Sequence, residues 1–332
     1  MLTVGLIGAG RIGRVHASTI VQDEGSQLVA VADSVDENAK NLAKLYKVNP
    51  RSVDAIFEDN SIEAILIASS TDTHSDFIEK ASIAGKAILC EKPVDLSLAR
   101  AKRCLENTKL NEHSIMMGFN RRFDPNFVAL KNALDGGEIG TAELLSITSF
   151  DPAPPPIDYV KVSGGIFKDM MIHDFDMANF LYGELPKSIF VSASAIIDKK
   201  IGALGDYDTA VATLKYRDGR LAVIKNSRRA TYGYDQRIEV LGSKGLLQVQ
   251  NMVENCIVKS TEMGVESSKP EYFFLERYKS AYQNEWTAFV TAVKTKTPMP
   301  VSLSDGIAAL AIAEAAAASA EMGSEVEIAN FL

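Results

Sequence analysis

Between an apolar run, Leu2–Ile7, and a segment of helical spacing at 12–22, the chain reads Gly8-Ala9-Gly10-Arg11-Ile12-Gly13. Three glycines so spaced between a strand and a helix leave few folds open. Gly8 permits a tight turn, Gly10 lets a pyrophosphate approach the backbone, and Gly13 lets the helix pack closely on a sheet. The helix N-terminus adds unpaired N–H groups and the positive end of its dipole. Gly8, Gly10, Arg11, Ile12 and Gly13 are therefore candidate cofactor-binding residues. The plainer alternative is a tight turn without a ligand, and the strand–loop–helix setting argues against it.

The alternation continues. Strand-like runs at 28–32, 64–68, 87–90 and 115–117 are separated by helical patterns at 37–46, 73–84 and 96–107. This pattern predicts a parallel sheet covered on both faces. The second strand ends in Asp33, placed to accept hydrogen bonds from ribose hydroxyls and to repel a 2′-phosphate, which favours NAD over NADP. A helix cap is the alternative for Asp33. After the strand at 64–68 come Ser69, Ser70, Thr71, Asp72, Thr73 and His74, at the carboxyl edge where such sheets bind ligands. Ser69, Thr71 and His74 are candidate cofactor contacts. Thr71 or Asp72 can equally cap a helix, and His74 can equally be a structural histidine.

The next strand ends Cys90-Glu91-Lys92-Pro93-Val94. Burying an unpaired charge is costly, so Glu91 and Lys92 are expected at the strand's mouth, where Lys92 can hydrogen-bond a substrate hydroxyl or hold a proton relay. A surface Lys–Glu pair is the alternative, and a cis bond at Pro93 is not readable from sequence.

Beyond residue 118 the pattern changes. Runs at 143–148, 188–195, 209–216, 220–226, 237–241 and 246–249 alternate by two, predicting an antiparallel sheet. Helical patterns lie at 125–134, 169–181, 277–293 and 305–322. The stretch 151–165, with four prolines, reads as a loop beside a site. The expected architecture is α/β: a dinucleotide-binding domain over 1–118, then an α+β domain over 119–332 with a large, mostly antiparallel open sheet. Asp169 and His173, four apart, are expected on one helix face with Asp176. A carboxylate orients an imidazole that can take a proton from an alcohol. Metal ligands or a plain amphipathic cap are the alternatives.

A net charge of −8 gives no reason to attract nucleic acid or an anionic membrane. Cys90, Cys104 and Cys256 have no metal or redox spacing, which predicts reduced thiols in a cytoplasmic protein. The N-terminus lacks signal-peptide features. The apolar stretch 307–318, broken by Glu314, reads as a buried helix started by Ser304/Asp305, too short to span a bilayer. Trp286 and Phe289 are expected in the core; Tyr278 and Tyr282 are expected to pack rather than to reach a site.

The glycine loop, Glu91-Lys92-Pro93, Gly118-Phe119-Asn120-Arg121-Arg122-Phe123-Asp124-Pro125 and Asp169-x-x-x-His173 occur together and in order. In this the whole chain resembles the Gfo/Idh/MocA oxidoreductase family, and within it the inositol dehydrogenases. The resemblance implies a Rossmann domain and a homo-oligomer, dimer or tetramer, built through the C-terminal sheet; NAD is the cofactor expected from Asp33, and with no second ligand cluster evident no metal is expected. It implies that Lys92, Asp169 and His173 are catalytic, that Glu91 and Lys92 also meet the cofactor, and that Arg121, Asp151, Asp176, Tyr232 and Tyr234 bind a polyol. Asp151 and Ser69-Ser70 depart from the family's asparagine and Thr-Pro. The implied reaction is oxidation of a myo-inositol hydroxyl, with another cyclitol or sugar, or a non-catalytic NAD sensor, as alternatives.

Overall fold

A computed structural model describes residues 1–332. It divides into two compact units, Met1–Phe123 with Ser280–Leu310, and Asp124–Lys279 with Ala311–Leu332. The chain thus returns to the first unit, a difference from the single division expected after residue 118.

The first unit holds a six-stranded parallel sheet made of β1 (Leu2–Ile7), β2 (Ser26–Ala32), β3 (Asn49–Pro50), β4 (Ala64–Ile67), β5 (Ala87–Glu91) and β6 (Ile115–Gly118). The strand order β3-β2-β1-β4-β5-β6 reverses direction between β1 and β4, which is where such sheets open a ligand crevice at their carboxyl ends. The connecting helices are α1 (Arg11–Gln22), α2 (Asp36–Tyr46), α3 (Val53–Glu58), α4 (His74–Ile83) and α5 (Leu98–Thr108). The two-residue β3 and the six-residue α3 are too short to leave a periodic signal. The strands are apolar on both faces, and β4 is buried at every position, as helical cover on both sides requires.

The second unit holds helix α6 (Pro125–Asp135) and a seven-stranded sheet of β7 (Ala142–Phe150), β8 (Ser188–Ser194), β9 (Thr209–Lys215), β10 (Leu221–Ser227), β11 (Asp235–Gly242), β12 (Gly245–Val249) and β15 (Val326–Glu327). A separate hairpin joins β13 (Val258–Thr261) to β14 (Gly264–Ser267). The large sheet is mostly antiparallel, as expected, but β7 and β10 run parallel. Alternation by two is the same in either sense, so sequence does not distinguish them. The stretch 151–165, expected as loop throughout, contains helix α7 (Ile157–Ser163). Phe167–Met171 forms a π-helical turn that runs into α8 (Ile172–Tyr182).

After α9 (Lys199–Ala203) and α10 (Phe274–Arg277), helix α11 (Lys279–Thr295) explains the return to the first unit. Tyr282, Trp286 and Phe289 recur at helical spacing and are buried. The Trp286 indole N–H donates to Ser26 Oγ at 2.9 Å, and its ring packs on Phe289. Helix α12 (Leu303–Met322) starts one residue before the expected Ser304/Asp305 cap. Ser302 is the residue that exchanges hydrogen bonds with Asp305, in a capping box. At 20 residues α12 is long and apolar enough to cross a membrane by length and composition, yet most of it is buried in the protein. Its interrupting Glu314 pairs with Lys168 at 2.9 Å. All three cysteines are free.

Candidate active site

In the first unit the glycine loop joins β1 to α1. Gly8 has φ +103°, and a Cβ there would lie 2.3 Å from the Ala68 carbonyl oxygen; a Cβ on Gly13 would lie 2.0 Å from the Gly8 carbonyl oxygen. These two positions lock loop, helix and β4 together. Gly10 differs, with open space where a Cβ would project. No side chain caps the N-terminus of α1 and no acid lies in its first turn. Gly10 and Arg11 are exposed there and Ile12 is half-buried. The uncapped helix end and the open face at Gly10 fit the phosphates of a dinucleotide.

Asp33 follows β2 and is half-buried. Its Oδ2 accepts the Ala9 N–H at 2.6 Å and its Oδ1 accepts the Val35 N–H at 2.8 Å. It therefore braces the glycine loop and does not cap α2, whose first turn has no side-chain cap. Ser69 and Thr73 share a hydroxyl hydrogen bond of 2.7 Å, and Thr71 is half-buried in a 3-10 turn that neither it nor Asp72 caps. His74 sits deeper than Ser69 and Thr71. It is buried, with Nδ1 2.8 Å from the Pro93 carbonyl and Nε2 3.1 Å from the Ser69 carbonyl. Burial pushes its pKa down against those two carbonyls. The ring lies between two loops, and in its neutral form one of the two nitrogens donates to its carbonyl.

Glu91 is likewise turned inward. It is 8% exposed, and its Oε1 lies 2.7 Å from His16 Nε2 on α1. The His16 ring meets the Tyr282 ring edge-on at 5.4 Å. The acid at the end of the buried strand thus has a buried partner, and the pair ties the phosphate-facing helix to β5. Lys92 comes next, half-buried at the carboxyl end of β5, and the Lys92–Pro93 peptide is cis. Arg121 is buried in the turn after β6.

Sequence reasoning missed His16 and Glu285. Glu285 is fully buried on α11, and neither carboxyl oxygen has a hydrogen-bond partner within the protein. Burial, then the negative charge of Glu91, pushes its pKa well above 4.5. The folded state therefore keeps a proton that the unfolded state releases above about pH 4.5, so stability from this group falls as pH rises. Glu285→Gln, which cannot ionise, is expected to raise the melting temperature by a few degrees at pH 8, and less at pH 5. Thermal denaturation at both pH values checks this; an equal difference at both would contradict it.

In the second unit, α8 and the π-turn before it carry the other candidates. Asp169 and His173 are half-buried, and Asp176 is buried. Asp169 lies within the π-turn. A π-turn closes i→i+5 hydrogen bonds where an α-helix closes i→i+4. Between Asp169 and His173 the chain is π-helical to Met171 and α-helical from Ile172. Asp169 Oδ1 accepts the Tyr159 hydroxyl at 2.8 Å. Asp174 is occupied by Ser149 Oγ and Asn226 Nδ2, at 2.6 and 2.8 Å.

Asp151 is half-buried after β7, with its backbone paired to Ser227 and Ala230. Tyr232 is exposed, with its hydroxyl on Asp235 at 2.5 Å. Tyr234 is buried edge-on against Tyr278. Tyr278 and Tyr282 are both buried.

Comparison with known proteins places the chain in a family. Residues 2–119 match the oxidoreductase family's NAD-binding Rossmann fold, and residues 127–248 match the GFO/IDH/MocA C-terminal domain. The chain is 48% identical to inositol 2-dehydrogenase of Rhizobium meliloti (strain 1021), over 98% of each chain. It is 44% identical to myo-inositol 2-dehydrogenase of Thermotoga maritima, again over 98% of each. The crystal structure of myo-inositol dehydrogenase from Lactobacillus casei in complex with NAD(H) and myo-inositol superposes with a TM-score of 0.89. It is 26% identical, over 98% of this chain and 96% of that one.

Proposed function

Because this chain belongs to the GFO/IDH/MocA oxidoreductase family, we propose that it oxidises a ring hydroxyl of myo-inositol to a keto-inositol with NAD. The observation that carries this reading is the 48% identity to an inositol 2-dehydrogenase along nearly the whole of both chains. NAD, when bound, supplies the acceptor for the hydride that leaves the carbinol carbon. His173 takes the hydroxyl proton as general base. Lys92 donates a hydrogen bond to the reacting oxygen and offsets its developing negative charge. Asp169 orients the imidazole. Arg121, Asp151, Asp176, Tyr232 and Tyr234 hold the remaining hydroxyls, and such directed bonds reject analogues that lack them. Gly8, Gly10, Arg11, Ile12, Gly13, Asp33, Ser69 and Thr71 hold the cofactor.

The enzyme acts in the cytoplasm, without nucleic-acid or membrane partners, a reading supported by a net charge of −8 and free thiols. It assembles as a dimer or tetramer through the large sheet. Leu246, Leu241, Leu144 and Leu221 are register neighbours across four adjacent strands and all are exposed, an apolar row of the kind that marks an interface.

The deciding assay is NADH formation with NAD or NADP against myo-inositol, scyllo-inositol, chiro-inositol and glucose. Activity with myo-inositol and NAD is the expected result. Turnover of another polyol alone moves the substrate, and NADH binding without any polyol turnover overturns the reading. Asp33→Ser is expected to shift the NADP-to-NAD preference roughly ten- to hundredfold toward NADP, since a like charge opposite a phosphate is strongly disfavoured. Paired kcat/KM values for the two cofactors check this; an unchanged ratio would remove Asp33 from cofactor choice.

A further inference from the structure

Arg228, just after β10, is one of the largest fully buried side chains, 1% exposed. Burying a guanidinium is costly without compensation. Its compensation is two acids at longer than hydrogen-bond distance: Nη1 lies 3.6 Å from Asp169 Oδ2, and Nη2 lies 3.8 Å from Asp206 Oδ2. Nε and Nη2 have no hydrogen-bond partner, and neither has Asp206 Oδ2. A purely structural ion pair in the same unit looks different. Arg277 and Asp124 are in direct hydrogen-bond contact. Arg228 is instead suspended between two carboxylates as a fixed charge.

Its backbone is anchored firmly. The Arg228 N–H donates to the Asp208 carbonyl at 2.8 Å. The buried Asp208 carboxylate in turn accepts the N–H groups of Ile196, Ile197 and Asp198 at 2.8 to 3.0 Å. The other acid, Asp206, holds the entrance to the reacting helix: its Oδ1 accepts the Ile166 N–H at 2.9 Å. Gly165, at φ +80°, makes that approach possible, since a Cβ there would lie 2.7 Å from Asp206 Oδ1. Asp206 therefore holds the residue just before the π-turn, and Arg228 reaches the one acid within it.

We propose that Arg228, held by Asp206, is a positioning residue that fixes the Asp169 carboxylate for its work on His173. The inference rests on the reading of Asp169 as the partner of His173. Arg228→Met is expected to lower kcat about 10- to 100-fold, the cost of a small misplacement at a reacting group, while KM for NAD stays unchanged. Arg228→Lys, which restores a charge without the planar fork, is expected to recover part of the loss. The decisive readout is a double-mutant cycle. With Asp169→Asn already in place, adding Arg228→Met is expected to cost little more, because the carboxylate it positions is gone. Multiplying losses would overturn the inference while leaving Asp169 catalytic, as would an unchanged kcat in Arg228→Met. Wild-type kcat in Asp169→Asn alone would overturn the underlying reading of Asp169 and the inference with it. Should Arg228→Met not fold, Asp206→Asn takes its place in the same cycle: loss of kcat that disappears in the Asp169→Asn background supports the proposal, and independent loss overturns it.

Discussion

His173→Ala is expected to lower kcat for polyol oxidation by roughly 10²–10⁴, the range that a positioned general base contributes. The loss should fall on turnover and spare cofactor binding, because the glycine loop, Asp33 and Ser69 all belong to the first compact unit and His173 to the second. Fluorescence titration with NADH should therefore give a wild-type dissociation constant for the variant whose steady-state rate has collapsed. Alanine removes the imidazole without burying a new charge. His173 is the second residue of α8 and half-buried, and a truncation there removes no core side chain. A wild-type kcat would eliminate the histidine as base and leave Lys92 as the remaining candidate for the proton. Loss of NADH affinity in step with kcat would instead assign His173 to binding.

The parts of this molecule that were legible in the sequence are those set by local chemistry. The glycine loop has its own geometric requirement at Gly8 and Gly13, and the structure meets it with backbone contacts too close for any side chain. Strand–helix alternation over the first 118 residues is likewise a local signal, and each expected strand there forms. What was not legible depends on partners far apart in the chain. Glu91 was expected at an open strand mouth; it is buried because His16, 75 residues earlier, meets it. Arg228 is one charged residue among many until Asp169 and Asp206 are seen beside it. His74 carries the same imidazole as His173, and only the structure places it between the Pro93 and Ser69 carbonyls. The π-turn is hidden for another reason. Buried Ile166, Phe167, Met170 and Met171 fit an α-helical period, so the extra residue leaves no mark in the pattern.

Asp124→Ala is expected to be the most destabilising single change considered, and the reason lies in two jobs held by one carboxylate. Asp124 caps α6: its Oδ1 accepts the N–H groups of Asn126 and Phe127 at 3.0 and 3.3 Å, with Pro125 at the first helical position. It also faces Arg277, and both side chains are 2% exposed. The guanidinium lies over the Phe127 and Tyr278 rings, 5.4 and 4.7 Å from their centroids, so without Asp124 it stays buried without its hydrogen-bonded carboxylate. Breaking such a pair from one side costs about 3–5 kcal/mol, and losing a cap costs about 0.5–2 kcal/mol. At roughly 2–4 °C per kcal/mol, the loss from the pair alone is about 6–20 °C in melting temperature. Asp124→Asn separates the two jobs. Asparagine caps as well as aspartate but carries no charge, so its melting temperature should fall nearly as far as that of the alanine variant. If Asp124→Asn instead melts like the wild type, the ion pair contributes nothing and the cap alone accounts for the residue. Asp124→Leu combined with Arg277→Met should then recover much of the loss seen in Asp124→Ala, because replacing both buried charges by apolar groups removes the uncompensated guanidinium along with its partner.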